Sequence, residues 1–325
     1  YEITGLYGLD SKRFGYNVKF INRSLWPSIN LRAYDSAFEG NTIGGGDDIW
    51  FRERGGEFAL GLPVIHRISP EVITSVSRAG ARLRKFEGLD GCIINRGNDL
   101  SAALFGEFTL ARMPERPVRD LTPGWGQTFF IGHERSLASL GSELTGRNTV
   151  ARLTQFAPSP FHHHGIAFTL AHQNQSGLLR YNAVGAIPRG YDINGAEGGF
   201  NLRNKLSLSM DYHFPLWFAD RGIGMTLLHL RLLRASLFAD YGAGWNGDFD
   251  ADTWKRNVRT SIGGTLVAST TTLYVAPLDF GVSAGYKTVE KDWFFGLIFG
   301  LPMNAGFSGR QPAGFRECLR GLRWE

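Results

Sequence analysis

The stretch KLSLSMDYHF, residues 205–214, decides the fold, because its residues alternate strictly between polar and apolar. The polar positions are Lys205, Ser207, Ser209, Asp211 and His213, and the apolar positions are Leu206, Leu208, Met210, Tyr212 and Phe214. A period of two predicts a β-strand with one polar and one apolar face. In a soluble sandwich the apolar face meets a second sheet, and in a membrane barrel it meets lipid while the polar face lines a wet interior.

The same alternation recurs along the chain, with no convincing amphipathic helix between the strands. It is found at 16–20, 29–33, 58–62, 233–242, 278–286 and 293–301. Tyrosine and tryptophan fall near strand ends, where the aromatic girdle of a membrane barrel lies at the lipid headgroups. Repetition without a covering helix favours the membrane barrel, and a soluble all-β sandwich stays open as an alternative.

The composition supports an all-β chain and excludes several classes of protein. Of 325 residues, 42 are glycine and only 20% are charged, which suits strands and turns. No run approaches about 18 apolar residues, so a helical transmembrane bundle is excluded. The net charge is +5, but the arginines are scattered along strands without basic clusters interleaved with aromatic residues, so nucleic acid is not an expected partner.

The connections between strands fall into two length classes. Short turns that contain proline, at 25–28, 66–71 and 156–161, alternate with longer polar loops at 38–48, 87–99 and 245–256. Outer-membrane barrels show this asymmetry, with short periplasmic turns and long external loops. The segment 113–125 is an exception, because it is long but lies where the alternation predicts a short turn. Counting strands with this rule predicts a closed antiparallel barrel of about fourteen strands, with a range of twelve to sixteen.

One arginine in a long loop is paired with a motif on a later strand. The loop, at about 175–200, contains IPRGYDIN with Arg189, Gly190 and Tyr191, and the strand near 237 contains FADYG with Phe238, Asp240 and Gly242 on its inward positions. By itself, a loop arginine is most often a solvated surface charge. An arginine inside a barrel is costly unless a carboxylate pairs with it, and Asp240 is a suitable partner.

These two motifs make the sequence resemble the superfamily of BamA and two-partner-secretion transporters, outer-membrane barrels also called the bacterial surface antigen family. That family carries an arginine-glycine-aromatic motif at the tip of an external loop and a phenylalanine-x-aspartate-x-glycine motif on the next up-going strand. Five strands follow the loop here, as in the family. The resemblance implies a loop folded into the barrel lumen and locked there by Arg189 against Phe238 and Asp240. It is firm over 175–302 and looser before that.

The chain also departs from the family pattern. The usual barrel has sixteen strands, and polypeptide-binding repeats of the periplasmic kind are not found in this sequence. We expect residues 1–302 to form the barrel and 303–325 to form a C-terminal tail on the periplasmic side. Because the sequence starts at Tyr1 without a leader, we expect a processed or truncated start and an N-terminal periplasmic domain outside this chain.

Other motifs carry little chemical signal. GAGWNG at 242–247 matches a dinucleotide-binding spacing but leads into a polar loop and not into a helix. The histidines at 162–164 point to alternate sides of an extended chain, and GDFDAD at 247–252 lacks the glycine and glutamate of a calcium loop. Cys92 and Cys318 match no metal or redox spacing. We therefore expect no catalytic residues, no metal and no cofactor.

The expected function is non-enzymatic work in the outer membrane of a Gram-negative bacterium. The leading hypothesis is an integral barrel that inserts or translocates protein or lipid, or that anchors a larger complex in the membrane. The expected partners are outer-membrane lipid and other envelope proteins, with no nucleic acid and no small-molecule substrate. The alternative is a passive pore, or a scaffold barrel that holds partner proteins.

Overall fold

A computed structural model describes most of the chain. The described residues are 2–8, 13–40, 49–68, 70–88, 100–114, 120–177, 187–191, 202–223, 228–272 and 276–300. Cys92, Cys318 and the expected tail at 303–325 lie outside these ranges, as does most of the 175–200 loop. Residues 175–177 of that loop belong to a strand, and residues 187–191 contain its arginine motif.

The described residues form fifteen strands, one short α-helix and one 3₁₀ turn. The strands are β1 (Glu2–Gly8), β2 (Arg13–Asn22), β3 (Ser28–Gly40), β4 (Ile49–Ile68), β5 (Glu71–Gly88), β6 (Leu100–Pro114), β7 (Gly126–Ser136), β8 (Gly146–Pro158), β9 (Gly165–Gly177), β10 (Asn204–Trp217), β11 (Arg221–Ile223), β12 (Leu228–Trp245), β13 (Arg259–Thr272), β14 (Ala276–Lys287) and β15 (Asp292–Gly300). The 3₁₀ turn spans Ala138–Leu140 and the helix α1 spans Ala251–Arg256.

All the strands belong to one antiparallel sheet in which each long strand pairs with the next along the chain. The path runs from β1 to β15 through fourteen strands, and the short β11 pairs with β12 beside this path. This confirms the predicted all-β class and the count of fourteen. Among the described residues, no pairing joins β1 to β15.

The sheet has an inner face that is polar and largely buried, and an outer face that is apolar and exposed. On β4, Glu53 and Glu57 point to the inner face and are 4% and 5% exposed, whereas Phe58 and Leu60 on the outer face are 47% and 41% exposed. An apolar surface of this size on a protein needs a partner or a membrane to cover it. This is the reverse of a soluble protein, in which apolar side chains fill the interior.

Most of the long connections lie at one end of the strands, which we call the loop end, and most of the shorter ones lie at the other, the turn end. The β9–β10 connection and the β12–β13 connection with α1 are at the loop end. The long segment at 113–125 joins β6 to β7 at the turn end, where Asp120 hydrogen-bonds to His163 of the neighbouring β8–β9 turn at 2.8 Å. Within the described ranges, no helix is long and apolar enough to cross a membrane.

Candidate functional site: a loop tip against the inner face

Two neighbouring strands present carboxylates to the loop tip at 187–191. Asp211 on β10 pairs in register with Phe238 on β12, and Ser209 pairs with Asp240. Because alternate residues share a face, Asp211, Phe238 and Asp240 all lie on the inner face. Phe238 and Asp240 are 4% and 5% exposed.

Arg189 binds both carboxylates at once. Its Nε and Nη2 donate to Oδ2 and Oδ1 of Asp240 at 2.8 and 2.9 Å, a bidentate pair. Its Nη1 donates to Oδ1 of Asp211 at 2.7 Å, and its own backbone N–H donates to Asp240 at 2.9 Å. The guanidinium carbon lies 3.9 Å from the centre of the Phe238 ring, in cation–π geometry.

These contacts fix the charge of Arg189. Burial by itself lowers the pKa of an arginine, but the hydrogen bonds to Asp240 and Asp211 more than offset burial and raise the pKa of Arg189 above its ordinary value. The side chain of Asp240 is only 2% exposed, so its negative charge depends on this arginine for compensation. The loop tip therefore carries the cation that two inner-face carboxylates require.

Position 190 favours glycine for two reasons, its backbone conformation and its close contact with a neighbouring side chain. Its φ is +85°, a conformation that side chains disfavour, and a Cβ at this position would lie 2.3 Å from Cδ1 of Phe294 on β15. The loop tip therefore touches the last strand as well as β10 and β12.

Tyr191 joins the tip to the β14–β15 hairpin. Its hydroxyl lies within hydrogen-bond distance of the Glu290 carboxylate and 3.1 Å from the Thr260 carbonyl oxygen. Arg259 forms an ion pair with Glu290 at 3.0 Å. Burial, with the neighbouring Glu290 carboxylate, raises the pKa of the Tyr191 hydroxyl.

The structure thus brings together Arg189, Phe238 and Asp240, the three residues whose contact the resemblance implied. Gly242 lies two residues further along β12, paired with Ser207 on β10 and Arg259 on β13. Sequence reasoning missed four partners of the tip, namely Asp211, Glu290, Phe294 and the Thr260 carbonyl. Asp211 could have been identified from the sequence, because it is the one carboxylate among the inward positions of KLSLSMDYHF.

A second cluster, on β4 to β7, was not anticipated. We call it the arginine–glutamate network; its members are Arg78, Arg82, Arg84, Glu53, Glu57, Glu107 and Glu134. All of these side chains lie on the inner face. The network is built from strand residues alone, and no loop contributes to it among its described contacts.

Arg82 is the centre of this network. Its Nε and Nη2 donate to Glu57 at 3.0 and 2.7 Å, its Nη1 contacts Glu134, and its guanidinium lies 4.5 Å from the Phe105 ring centre. Arg84 also contacts Glu134, and Arg78 joins Glu57 to Glu107. The sequence pattern did not reveal this network because polar and apolar residues alternate poorly along β5. Large arginines face inward on this strand, and the outward positions include the small residues Ser75, Ser77, Ala79 and Ala81.

Comparison with solved structures identifies the architecture. BamA from Haemophilus ducreyi, in a structure lacking POTRA domains 1–3, matches over 88% of this chain and 62% of that chain, with a TM-score of 0.52 and 15% identity. CdiB from Escherichia coli matches over 88% of this chain and 51% of that chain, with a TM-score of 0.50 and 12% identity. The chain has a BamA-like barrel fold. It spans about half to two thirds of the length of these two structures, and at this identity the likeness concerns the fold alone.

The comparison confirms the expected resemblance at the level of fold. No protein-family model and no curated protein sequence matches the chain. The roles of the two motifs, RGY at 189–191 and FADYG at 238–242, are therefore inferred from the contacts that their residues make in this chain.

The remaining sequence signals have structural partners. His163 pairs with Asp120, and Nδ1 of His164 lies 2.6 Å from the Tyr212 hydroxyl. Asp250 of GDFDAD caps α1 by accepting from the Thr253 hydroxyl and from the backbone N–H groups of Thr253 and Asp252, and these hydrogen bonds lower the pKa of its carboxyl. No group of three metal-ligating side chains occurs within the part of the chain that the structure describes.

Proposed function

We propose that the chain is an integral outer-membrane barrel, closed by pairing of β1 with β15. An open sheet edge in lipid leaves backbone groups without partners, at a cost of several kcal/mol each, so a membrane sheet must close. The outer face of β4 supports the membrane position. Between Arg54 and His66 its outward residues are Gly56, Phe58, Leu60, Leu62 and Val64. At about 3.3 Å per residue and a tilt of about 40°, that interval spans about 30 Å.

We further propose that Arg189 locks the loop tip inside the barrel. The observation that carries the proposal is the pairing of one loop arginine with two inner-face carboxylates and an aromatic ring. Removing Arg189 would leave the charge of Asp240, whose side chain is 2% exposed, without this partner; because Arg189 itself is 36% exposed, the cost should lie below the about 3–5 kcal/mol of a fully buried pair. Phe238, Asp240 and Gly242 form the strand side of the lock; Arg189, Gly190 and Tyr191 form its loop side.

We infer that the barrel works in insertion or translocation of protein or lipid at the outer membrane, or as the membrane anchor of a larger complex. The BamA-like fold and the lumen loop support this reading. The barrel acts by binding and by changes of shape, with no catalytic residue, metal or cofactor. Its partners are outer-membrane lipid and other envelope proteins, and neither nucleic acid nor a small-molecule substrate is involved.

The first experiment tests the membrane barrel. The full chain, refolded in detergent, should migrate faster on gels before heating than after heating, and it should partition into the detergent phase. A chain that stays soluble without detergent contradicts the proposal.

The second experiment tests the role of the lock in insertion. Vesicles containing the chain should accelerate membrane insertion of an unfolded barrel protein, and Arg189→Ala should reduce this acceleration. Arg203→Ala is the matched control, because it removes the same charge at the same connection without touching Asp211 or Asp240. Equal rates with and without the chain contradict the insertion role.

A passive pore is the second candidate, favoured by the charged inner face of β4 to β7. Conductance across planar bilayers separates the two. A large steady current indicates an open pore, whereas a small flickering current indicates a barrel closed by its loop.

A further inference from the structure

The outer face of β2 to β6 contains an apolar groove with a volume of about 550 Å³. A barrel wall is convex, so a groove requires small side chains between large ones. Its floor is formed by the small residues Ala33 and Gly56, which lie between Val18 and Leu83 in one register row, with Ala102 next in that row. The next row towards the turn end is Phe20, Leu31, Phe58, Ala81 and Leu104. Leu140, in the 3₁₀ turn, forms a further wall.

The row on the other side of the groove, towards the loop end, is polar and charged. It consists of Tyr16, Asp35, Arg54 and Lys85 in consecutive register, two residues beyond the groove floor on the same face. At about 3.3 Å per residue, this row lies roughly 7 Å from the floor. Arg52 stands one step further out and pairs with Asp35 at 2.6 Å.

Among the described side chains of β3 to β5 at this rim, three cations (Arg52, Arg54 and Lys85) face two carboxylates (Asp35 and Glu87). Arg54 shares Asp35 with Arg52 and lies 3.6 Å from Glu87, so these two arginines use the two described carboxylates. Lys85 then sits directly opposite Arg54 in the ladder, and like charges in that position are destabilising.

The excess of positive charge continues around the outer face. Beyond Leu140, Arg135 on β7 lies directly opposite Arg147 on β8, again on outward positions. This second pair of facing cations is also destabilising. It lies at least two strand spacings, roughly 10 Å, from Lys85, so each pair would need its own anionic group.

We propose that this groove and its cationic rim bind one membrane lipid, with an acyl chain in the groove and a phosphorylated headgroup against Arg54 and Lys85. The proposal rests on the proposed membrane position of the barrel. Because the rim is cationic, it complements an anionic headgroup. Because the apolar floor adjoins this rim, the anion belongs to a lipid and is not a free ion. Basic side chains beside an apolar surface are a recurring means of binding anionic lipid.

The test is a lipid titration of the refolded full chain, read by native mass spectrometry. Phosphatidylglycerol should bind more tightly than phosphatidylcholine. Arg54→Gln with Lys85→Gln should weaken phosphatidylglycerol binding by about 30-fold, about a factor of five for each cation. The matched control, Arg112→Gln with Arg221→Gln, removes the same charge near the turn end and should leave binding unchanged.

Two glycines test the groove itself. Gly56→Leu fills the floor without a backbone clash, because the nearest atom to its Cβ is the Arg32 carbonyl oxygen at 3.7 Å; we expect weaker binding of both lipids. Gly106→Leu, on the outer face of β6 with no atom within 4 Å of its Cβ, is the control and should bind normally.

Three results would overturn the lipid site. They are equal affinity for the two lipids, equal effects of the two charge variants, and displacement of phosphatidylglycerol by an equal concentration of inorganic phosphate. Every sample is also checked for heat-modifiable migration. If the unaltered chain shows no heat-modifiable migration, the proposed membrane barrel is wrong. If the chain does show this migration but binds the two lipids equally, only the proposed lipid site is wrong.

Discussion

Two regions of the inner face hold arginine between carboxylates, and they do so in different ways. On β4 to β7, the arginine–glutamate network consists of strand residues whose positions follow from the hydrogen-bond register. On β10 to β15, the arginine comes from a loop, and its contacts determine where that loop lies. The first cluster should therefore support the wall of the barrel, whereas the second should hold the loop tip against it.

The largest effect is expected from Glu57→Gln, which removes the carboxylate shared by Arg78 and Arg82. The side chain of Glu57 is 2% exposed, and loss of its charge leaves buried cations poorly compensated. We expect the free energy of unfolding to fall by about 3–5 kcal/mol, measured by urea titration of heat-modifiable migration.

Glu87→Gln is the control for this variant, because Glu87 is half exposed and lies 3.6 Å from Arg54. Its effect should stay within about 0.5 kcal/mol. In both variants hydrogen exchange at 187–191 should match the parent under native conditions. Faster exchange there in Glu57→Gln would mean that the two regions are not separate.

A smaller effect, confined to the loop tip, is expected from Gly190→Ala. The added Cβ meets Phe294, and the positive φ adds strain of about 1–3 kcal/mol. Amide exchange at 187–191 should accelerate, with the urea midpoint of the barrel changing less than in Glu57→Gln. Adding Phe294→Ala removes the contact and should restore part of the amide protection at 187–191. If no protection is restored, backbone strain at residue 190 alone explains the faster exchange.

Tyr191→Phe should have the smallest effect, about 1 kcal/mol on opening of the loop tip. Its signature is pH dependence. The pKa of Tyr191 is raised above its ordinary value of 10.0, so its contribution is fully present below about pH 10 and is lost as pH rises through the raised pKa. The difference in amide protection between the parent and Tyr191→Phe should shrink above pH 10. A difference that is constant from pH 8 to pH 11 would argue against the Glu290 contact.

The fold was largely readable from the sequence. Alternation such as that of 205–214 places one apolar face per strand, and together with the spacing of turns and loops it predicted the fourteen strands of the path. Strands β5, β7 and β8 alternate poorly. On β5 and β8, inward arginine and outward alanine reverse the usual contrast, and on β7 Phe130 points inward while His133 and Arg135 point outward. Their existence was predicted from the spacing of turns and loops, and not from their side chains.

The candidate site was readable only in part. Arg189, Phe238 and Asp240 could be paired because two short motifs resemble those of a known family. Glu290 and Phe294 lie about a hundred residues from the loop tip in sequence, and no local pattern reports a contact across that separation. The arginine–glutamate network depends on the register between four strands, which alternation alone leaves undefined.

The most direct test of the lock is a double-mutant cycle with Arg189→Ala, Asp240→Ala and the double variant. The measured quantity is the free energy of opening at 187–191, from native-state hydrogen exchange of amides other than the one at Arg189. Because Nε and Nη2 of Arg189 both bind Asp240, we predict a coupling energy of about 1–3 kcal/mol between the two substitutions. Strictly additive effects would contradict the lock.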